Sequence, residues 1–340
     1  MTAALTSTTS GENDPDIRQR RDGGAAQSLE LTADERDTMS TLAVHLTQAA
    51  RSLVDDDAWL AEARRTSCHM PSRLREALRG YRYDSGTDGT LAVTNLPIPL
   101  TLPPTPNVRD SVERAATVPA ALAMLVGLQL GEVIAYRDEK HGALLQNVVP
   151  VPALANSQSN GGSVPLEFHT ENAFHPNRPD FVALLCLRGA QESSVGTLIA
   201  PVRRALALLD PSDLAVLQQN RYATDSPPSF HTAERTAPHP LLNGAPDDPD
   251  ILVDFNATHA LDDEAAAAMH RLRDVLLAVR TELVLPPGGM VFLDNRMVVH
   301  GRGAFAPRYD GSDRWLHRIF VHLDSRRTRP ARDAHSMVLR

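Results

Sequence analysis

The chain has little sulfur to oxidise: two cysteines, Cys68 and Cys186, among 340 residues. They are far apart and follow no metal-binding spacing, so they exclude a disulfide framework and suit a reducing cytoplasm. Basic charge is also in deficit. Lys and Arg total 34 against 42 Asp and Glu, a formal net charge of −8, so no nucleic-acid footprint is expected. A long unbroken apolar run is missing too. The nearest approach, 118–136, is interrupted by Gln129 and Glu132, and Pro119 ahead of Ala-Ala-Leu-Ala opens it as a buried helix, not a membrane span. Residues 1–27 lack the apolar core of a signal peptide and read as a disordered leader.

What remains is ordinary globular material, 42% apolar, with length enough for one large core. Thr32 with Glu35 makes a capping-box pattern that predicts a helix to about Leu53. Further helices are expected over 57–65, 72–80, 118–136, 203–209, 213–219 and 261–283. Short β-prone runs stand at 90–95, 143–149, 164–170, 181–188, 197–202, 251–256, 289–294 and 314–323. Many short strands edged by helices predict an α+β fold, a double-stranded β-helix (jelly roll) core flanked by helices. One domain over 28–340 is expected.

The sharpest local feature is Phe168-His169-Thr170-Glu171 at the end of a strand-like run. Side chains at i and i+2 of a strand share a face, so His169 and Glu171 can chelate one ion. His300 is the candidate third ligand, after the apolar run 290–293 and before Gly301-Arg302-Gly303, read as flexible. Two histidines and one carboxylate on one face of an iron leave positions open for a co-substrate and O₂. The pair alone does not single these residues out, because His175, His231, His239 and His317 offer other sets. A zinc hydrolase is the competing metal reading, and no His-Glu-x-x-His helix supports it. A jelly roll that binds metal or an amino acid without turnover is the competing reading of another class.

The run 314–322 alternates, with Arg314, Leu316, Arg318 and Phe320 on one face. Two arginines roughly 13 Å apart on one strand face can each hold a different carboxylate. Without His300 just upstream, they would read as surface residues of an edge strand.

The runs Leu166-Glu-Phe-His-Thr-Glu-Asn-Ala-Phe-His175, Arg178-Pro-Asp-Phe181, Asp294-Asn-Arg296 and His300-Gly-Arg-Gly-Ala-Phe-Ala-Pro-Arg-Tyr-Asp-Gly-Ser-Asp-Arg-Trp315 resemble the clavaminate synthase-like 2-oxoglutarate oxygenases. That group includes free amino acid hydroxylases of antibiotic pathways, and the likeness runs from about Pro71 onward. It implies Fe(II), 2-oxoglutarate and O₂, with His169, Glu171 and His300 as iron ligands. It implies Arg314, fourteen positions after His300, and Thr197 for the distal carboxylate of 2-oxoglutarate. Arg318 would bind the substrate α-carboxylate and Glu139 its α-amino group. Asp254 would read the substrate side chain, and the loop 153–163, with Asn160 touching substrate, would form a lid. Glu171 would also stand beside the substrate, and its presence argues for hydroxylation, since related halogenases lack this carboxylate.

The expected activity is hydroxylation of a free L-amino acid at C3 or C4. Asp254 favours a side chain that donates hydrogen bonds or carries positive charge. Arginine ranks first, with lysine, citrulline and asparagine behind it. Leu252 stands where arginine relatives can show a second acid, which weakens arginine. The oligomeric state is not legible.

Overall fold

The run Phe181–Arg188 is apolar at every position but the last, the pattern of a strand covered on both faces. As β6 it lies inside an eight-stranded sheet of this computed structural model, between antiparallel β13 (Met290–Asp294) and β15 (Trp315–His322). Beyond β13 come β2 (Thr90–Thr94) and β1 (Gln27–Glu30). Beyond β15 come β3 (Glu132–Tyr136) and β16 (Val338–Leu339), and β4 (Gln146–Val148) also pairs with β15. A four-stranded sheet runs β12 (Thr281–Leu283), β7 (Thr197–Pro201), β14 (Val298–Arg302) and β5 (Leu166–His169). Two ladders pair β9 (Leu242–Ala245) with β10 (Asp248–Ile251), and β8 (Tyr222–Thr224) with β11 (Thr258–Ala260). The structure describes residues 27–49, 52–189, 195–227, 230, 234–333 and 336–340; the expected leader, apart from Gln27 in β1, lies outside them.

Alternation along the strands divides the core. Phe181, Ala183, Leu185 and Leu187 join Met290, Phe292, Ile319 and Val321 on one face. They pack against α1 (Ala33–Thr47), α2 (Asp57–Ser67), α3 (Ser72–Tyr83) and α4 (Val118–Leu130). Val182, Leu184, Cys186, Val291, Leu293, Leu316 and Phe320 point the other way. They meet Ile199, Val298 and Val299 of the small sheet, in a cluster that continues into α5 (Val202–Leu206), α6 (Pro211–Leu217) and α7 (Asp263–Val279). Each fully buried Leu, Val or Phe contributes about 1.5–3 kcal/mol, so a strand buried on both faces is strongly held. Two facing sheets with helices outside make the α+β jelly roll expected from the sequence.

Several boundaries differ. The α1 capping box is present, but the helix stops at Thr47, where the Ser52 hydroxyl donates to the Thr47 carbonyl over 2.9 Å. α3 runs through Gly80, because Tyr81 is fully buried and donates to the Gly89 carbonyl at 3.0 Å. The stretch 118–136 is helix then strand, divided at Gly131. A Cβ there would stand 2.1 Å from the His322 carbonyl oxygen, so only glycine lets β3 begin beside β15. α7 starts at its Asp262 cap and gives way to β12. Residues 252–256 form no strand beyond a bridge from Asp254 to His169, and Gly301 and Arg302 belong to β14, not to a loop. Among the described residues, no helix is long and apolar enough to cross a membrane.

Candidate active site

In the β14–β5 ladder His300 stands opposite His169, and the two rings lie 4.4 Å apart between centroids. β5 ends at His169, so Glu171 is not the i+2 residue of a strand, as expected, but sits in the turn beyond it. Asn295 brings it back. Its Oδ1 accepts the Glu171 N–H at 2.7 Å, and its Nδ2 donates to the carbonyls of Glu171 (3.0 Å) and Pro179 (2.9 Å). One ligand atom from each of His169, Glu171 and His300 then lies within 4.8 Å of the others.

The protonation states suit a cation. His169 Nδ1 lies 2.9 Å from the Glu167 carbonyl, which places its proton there and leaves Nε2 a lone pair. Burial, then repulsion from His169, pushes the His300 pKa down and keeps that ring neutral. Burial alone would raise Glu171, but Arg318 and then His300 outweigh it and hold the carboxyl at about 2.

Arg318, 6% exposed, is the hub of the neighbouring charges. Its Nη1 donates to Glu171 Oε1 at 2.7 Å and its Nε to Gln146 Oε1 at 3.1 Å, while Nη2 reaches Glu139 and Gln146. Burial raises the Glu139 carboxyl above its usual range; Arg318 opposes the shift and Glu171 adds to it. Among the described residues, Glu139 Oε2 and Gln146 Nε2 are buried without a partner, so the site holds an unused acceptor and an unused donor.

Arg314, just ahead of β15, donates from Nη2 to the Thr197 hydroxyl at 3.3 Å, and burial lowers its pKa. Asp254 lines the same cavity as Arg314 and Thr197, its backbone bridged to His169. Its Oδ1 accepts the N–H groups of Asn256 (2.8 Å) and Ala257 (3.2 Å), and among the described residues Oδ2 has no hydrogen bond. Leu154 and residues 157–161 of the loop 153–163, Asn160 among them, line the same cavity. All nine residues expected from the sequence line one cavity of about 270 Å³. Sequence reasoning missed Asn295, Gln146 and Arg302. Asn295 and Arg302 stood inside quoted runs without a role, and nothing local marks Gln146.

A jelly roll whose inner wall carries two histidines and a carboxylate beside buried arginines is the architecture of a non-haem iron oxygenase. Residues 109–320 match the family described as taurine catabolism dioxygenase TauD, TfdA family, and the chain belongs to that family. It is 43% identical over 320 residues to the L-asparagine oxygenase of Streptomyces coelicolor, covering 93% of this chain and 96% of that protein. It is 34% identical over 336 residues to the L-lysine 3-hydroxylase of Catenulispora acidiphila, covering 96% and 90%. The structure of an asparagine oxygenase with Fe(II), 2S,3S-3-hydroxyasparagine and succinate superposes with a TM-score of 0.90 at 42% identity, covering 92% of this chain and 98% of that one. The chain is therefore an enzyme of the dioxygenase type, and the non-catalytic reading is set aside.

Proposed function

We propose that this protein hydroxylates free L-asparagine at C3, with iron(II), 2-oxoglutarate and O₂. The observation that carries the substrate is Asp254. Its turn occupies Oδ1, leaving one carboxylate oxygen for the ligand. A guanidinium is best held by two acceptors in parallel, and Leu252 supplies none, whereas the NH₂ of a side-chain amide needs one. The sequence ranking of arginine first therefore gives way to asparagine, in agreement with the identity to an asparagine oxygenase. In asparagine C3 is the only side-chain carbon bearing hydrogen, so the choice of substrate fixes the carbon.

The donor set fits ferrous iron: two imidazoles and one ionised carboxylate whose ligand atoms converge within 4.8 Å. Bound iron, with 2-oxoglutarate and O₂, supplies the oxidation, releasing succinate and CO₂ and placing one oxygen atom on the substrate carbon. The protein positions the partners. Arg314 and Thr197 take the distal carboxylate of 2-oxoglutarate. Arg318 takes the α-carboxylate of the amino acid, Glu139 its ammonium group through Oε2, and Asp254 its amide. Asn160 closes over them and excludes water.

Succinate release from 2-oxoglutarate, measured with Fe(II) and ascorbate across the twenty amino acids plus citrulline and ornithine, tests the reading. Stimulation by asparagine with a mass gain of one oxygen supports it. Stimulation by arginine or lysine alone would overturn the substrate, and no stimulation by any of them would overturn the function.

A further inference from the structure

Arg302 is 6% exposed, lines the same cavity as Arg314, and has no carboxylate within salt-bridge distance among the described residues. A buried guanidinium without a counter-charge is costly, so its other contacts are informative. Its Nη2 donates to the Val164 carbonyl at 3.1 Å and its Nη1 reaches the Asn160 carbonyl at 3.5 Å. The guanidinium lies 4.8 Å from the Phe305 ring centroid, and the Phe305 N–H donates to the Ser163 carbonyl at 3.0 Å. The Asn160 and Ser163 carbonyls belong to the loop 153–163 that lines the cavity, and Val164 follows it directly. That loop is folded on itself, Ser163 N–H on Ala155 O at 2.9 Å and Ser157 N–H on Leu154 O at 2.8 Å, so it can move as a unit.

Beside Arg302 a second buried cation, Arg314, lines the same cavity, where like charges repel one another. The repulsion acts on a side chain whose anchors are neutral carbonyls. A carboxylate seated on Arg314 would cancel it.

We propose that Arg302 is a positioning residue, a latch that holds the loop 153–164 over the site and tightens when an anionic co-substrate neutralises Arg314. This rests on the functional reading above, which places 2-oxoglutarate on Arg314. Co-substrate binding then closes the loop before the amino acid is oxidised, and Asn160 is delivered to the substrate by its own backbone contact. Arg302 itself touches neither ligand.

The test uses the full chain with Fe(II) under argon, with and without 2-oxoglutarate. Amide exchange of the peptide covering 152–165 is followed, and 2-oxoglutarate affinity is measured by calorimetry. In the unaltered protein 2-oxoglutarate should slow exchange in that peptide by about tenfold or more, as expected for closing a local opening. Arg302→Gln should lose most of this protection and, by linkage, weaken 2-oxoglutarate by about the same factor and no more, since no direct charge-assisted bond to the co-substrate is removed. In air with asparagine it should release more succinate than hydroxylated product. Phe305→Leu, which removes the seat under the guanidinium, should act in the same direction and serves if Arg302→Gln does not fold. Unchanged protection in both variants would overturn the latch alone. A loss of affinity as large as that of Arg314→Gln would also overturn it, by making Arg302 a ligand. Absence of 2-oxoglutarate binding in the unaltered protein would overturn the functional reading and the latch together.

Discussion

Arg318 Nη1 donates to Glu171 Oε1 across 2.7 Å, joining residues 147 positions apart in one buried ion pair. The arginine proposed to hold the amino acid is therefore hydrogen-bonded to the carboxylate of the candidate metal cluster. Arg314 stands free of that pair, bonded to Thr197.

The two arginines should fail differently. Arg314→Ala should raise the Michaelis constant for 2-oxoglutarate, by about 10- to 150-fold if one charge-assisted bond of about 1.5–3 kcal/mol is lost. Arg318→Ala removes the shared cation of Glu171 and Glu139, at a cost of about 3–5 kcal/mol, because buried carboxylates are left unpaired. It should lower the unfolding temperature, impair the amino acid rather than 2-oxoglutarate, and leave some uncoupled succinate formation. Identical kinetic defects in the two variants would refute this division.

His300→Ala should abolish hydroxylation and weaken Fe(II) binding by calorimetry, because two remaining protein ligands hold the ion poorly. Asn295→Ala should weaken the same binding less, by roughly 10- to 100-fold, since it removes only the clamp on the Glu171 peptide. Equal metal affinity in His300→Ala and the unaltered protein would remove the site assignment.

His317, on the helix-facing side of β15, is buried with neither ring nitrogen hydrogen-bonded among the described residues, and burial pushes its pKa down to about 3. His175 is lowered to about 4, chiefly by burial. Both are neutral when folded and take a proton more readily when unfolded. Their contribution to stability is therefore full above about pH 6.5 and is lost as the pH falls from there toward 4 and 3. Each contributes a slope of up to about 1.4 kcal/mol per pH unit in that window. His317→Leu should leave stability at pH 7.5 nearly unchanged or higher, because it removes two unsatisfied polar atoms. Its unfolding temperature should fall less between pH 7.5 and 5.5 than that of the unaltered protein. Parallel falls would show that His317 is protonated when folded.

The central strands were legible because their chemistry is local. β6 reads as a doubly covered strand from its own eight residues, and the alternation from Arg314 to Phe320 already separates the helix-facing side chains from the cavity-facing ones. Elements set by distant neighbours were not legible. Nothing near Gly131 shows that the His322 carbonyl will stand where its Cβ would be, so helix and strand merged into one predicted helix. Glu171 was chosen for a reason the fold does not use: strand periodicity suggested it, but Asn295, 124 residues away, positions it. Gln146 was invisible because a buried glutamine gripping an arginine has no sequence signature.

On the proposed reading Asp254 decides the substrate class, and its turn makes the outcome of Asp254→Asn asymmetric. The side-chain oxygen of the new amide still accepts the N–H groups of Asn256 and Ala257, so its NH₂ replaces the free Oδ2 and faces the ligand. Donor then meets donor when asparagine binds in its original pose. The lost bond and the unsatisfied group cost about 1–3 kcal/mol, a fall of roughly 5- to 150-fold in kcat/KM, softened if the substrate amide turns over. Aspartate changes in the opposite direction: its carboxylate is repelled by the native Asp254, and in the variant it accepts from the new NH₂. The ratio of aspartate to asparagine efficiency should therefore rise by more than either efficiency changes alone. A cationic substrate predicts another pattern, a loss of about 3–5 kcal/mol, several hundred-fold or more, on arginine or lysine with no gain on aspartate. Efficiencies of both proteins on asparagine, aspartate, arginine and lysine distinguish the two. If all four were unchanged, the Asp254 carboxylate would not face the bound side chain, and the preference for asparagine would lose its structural support.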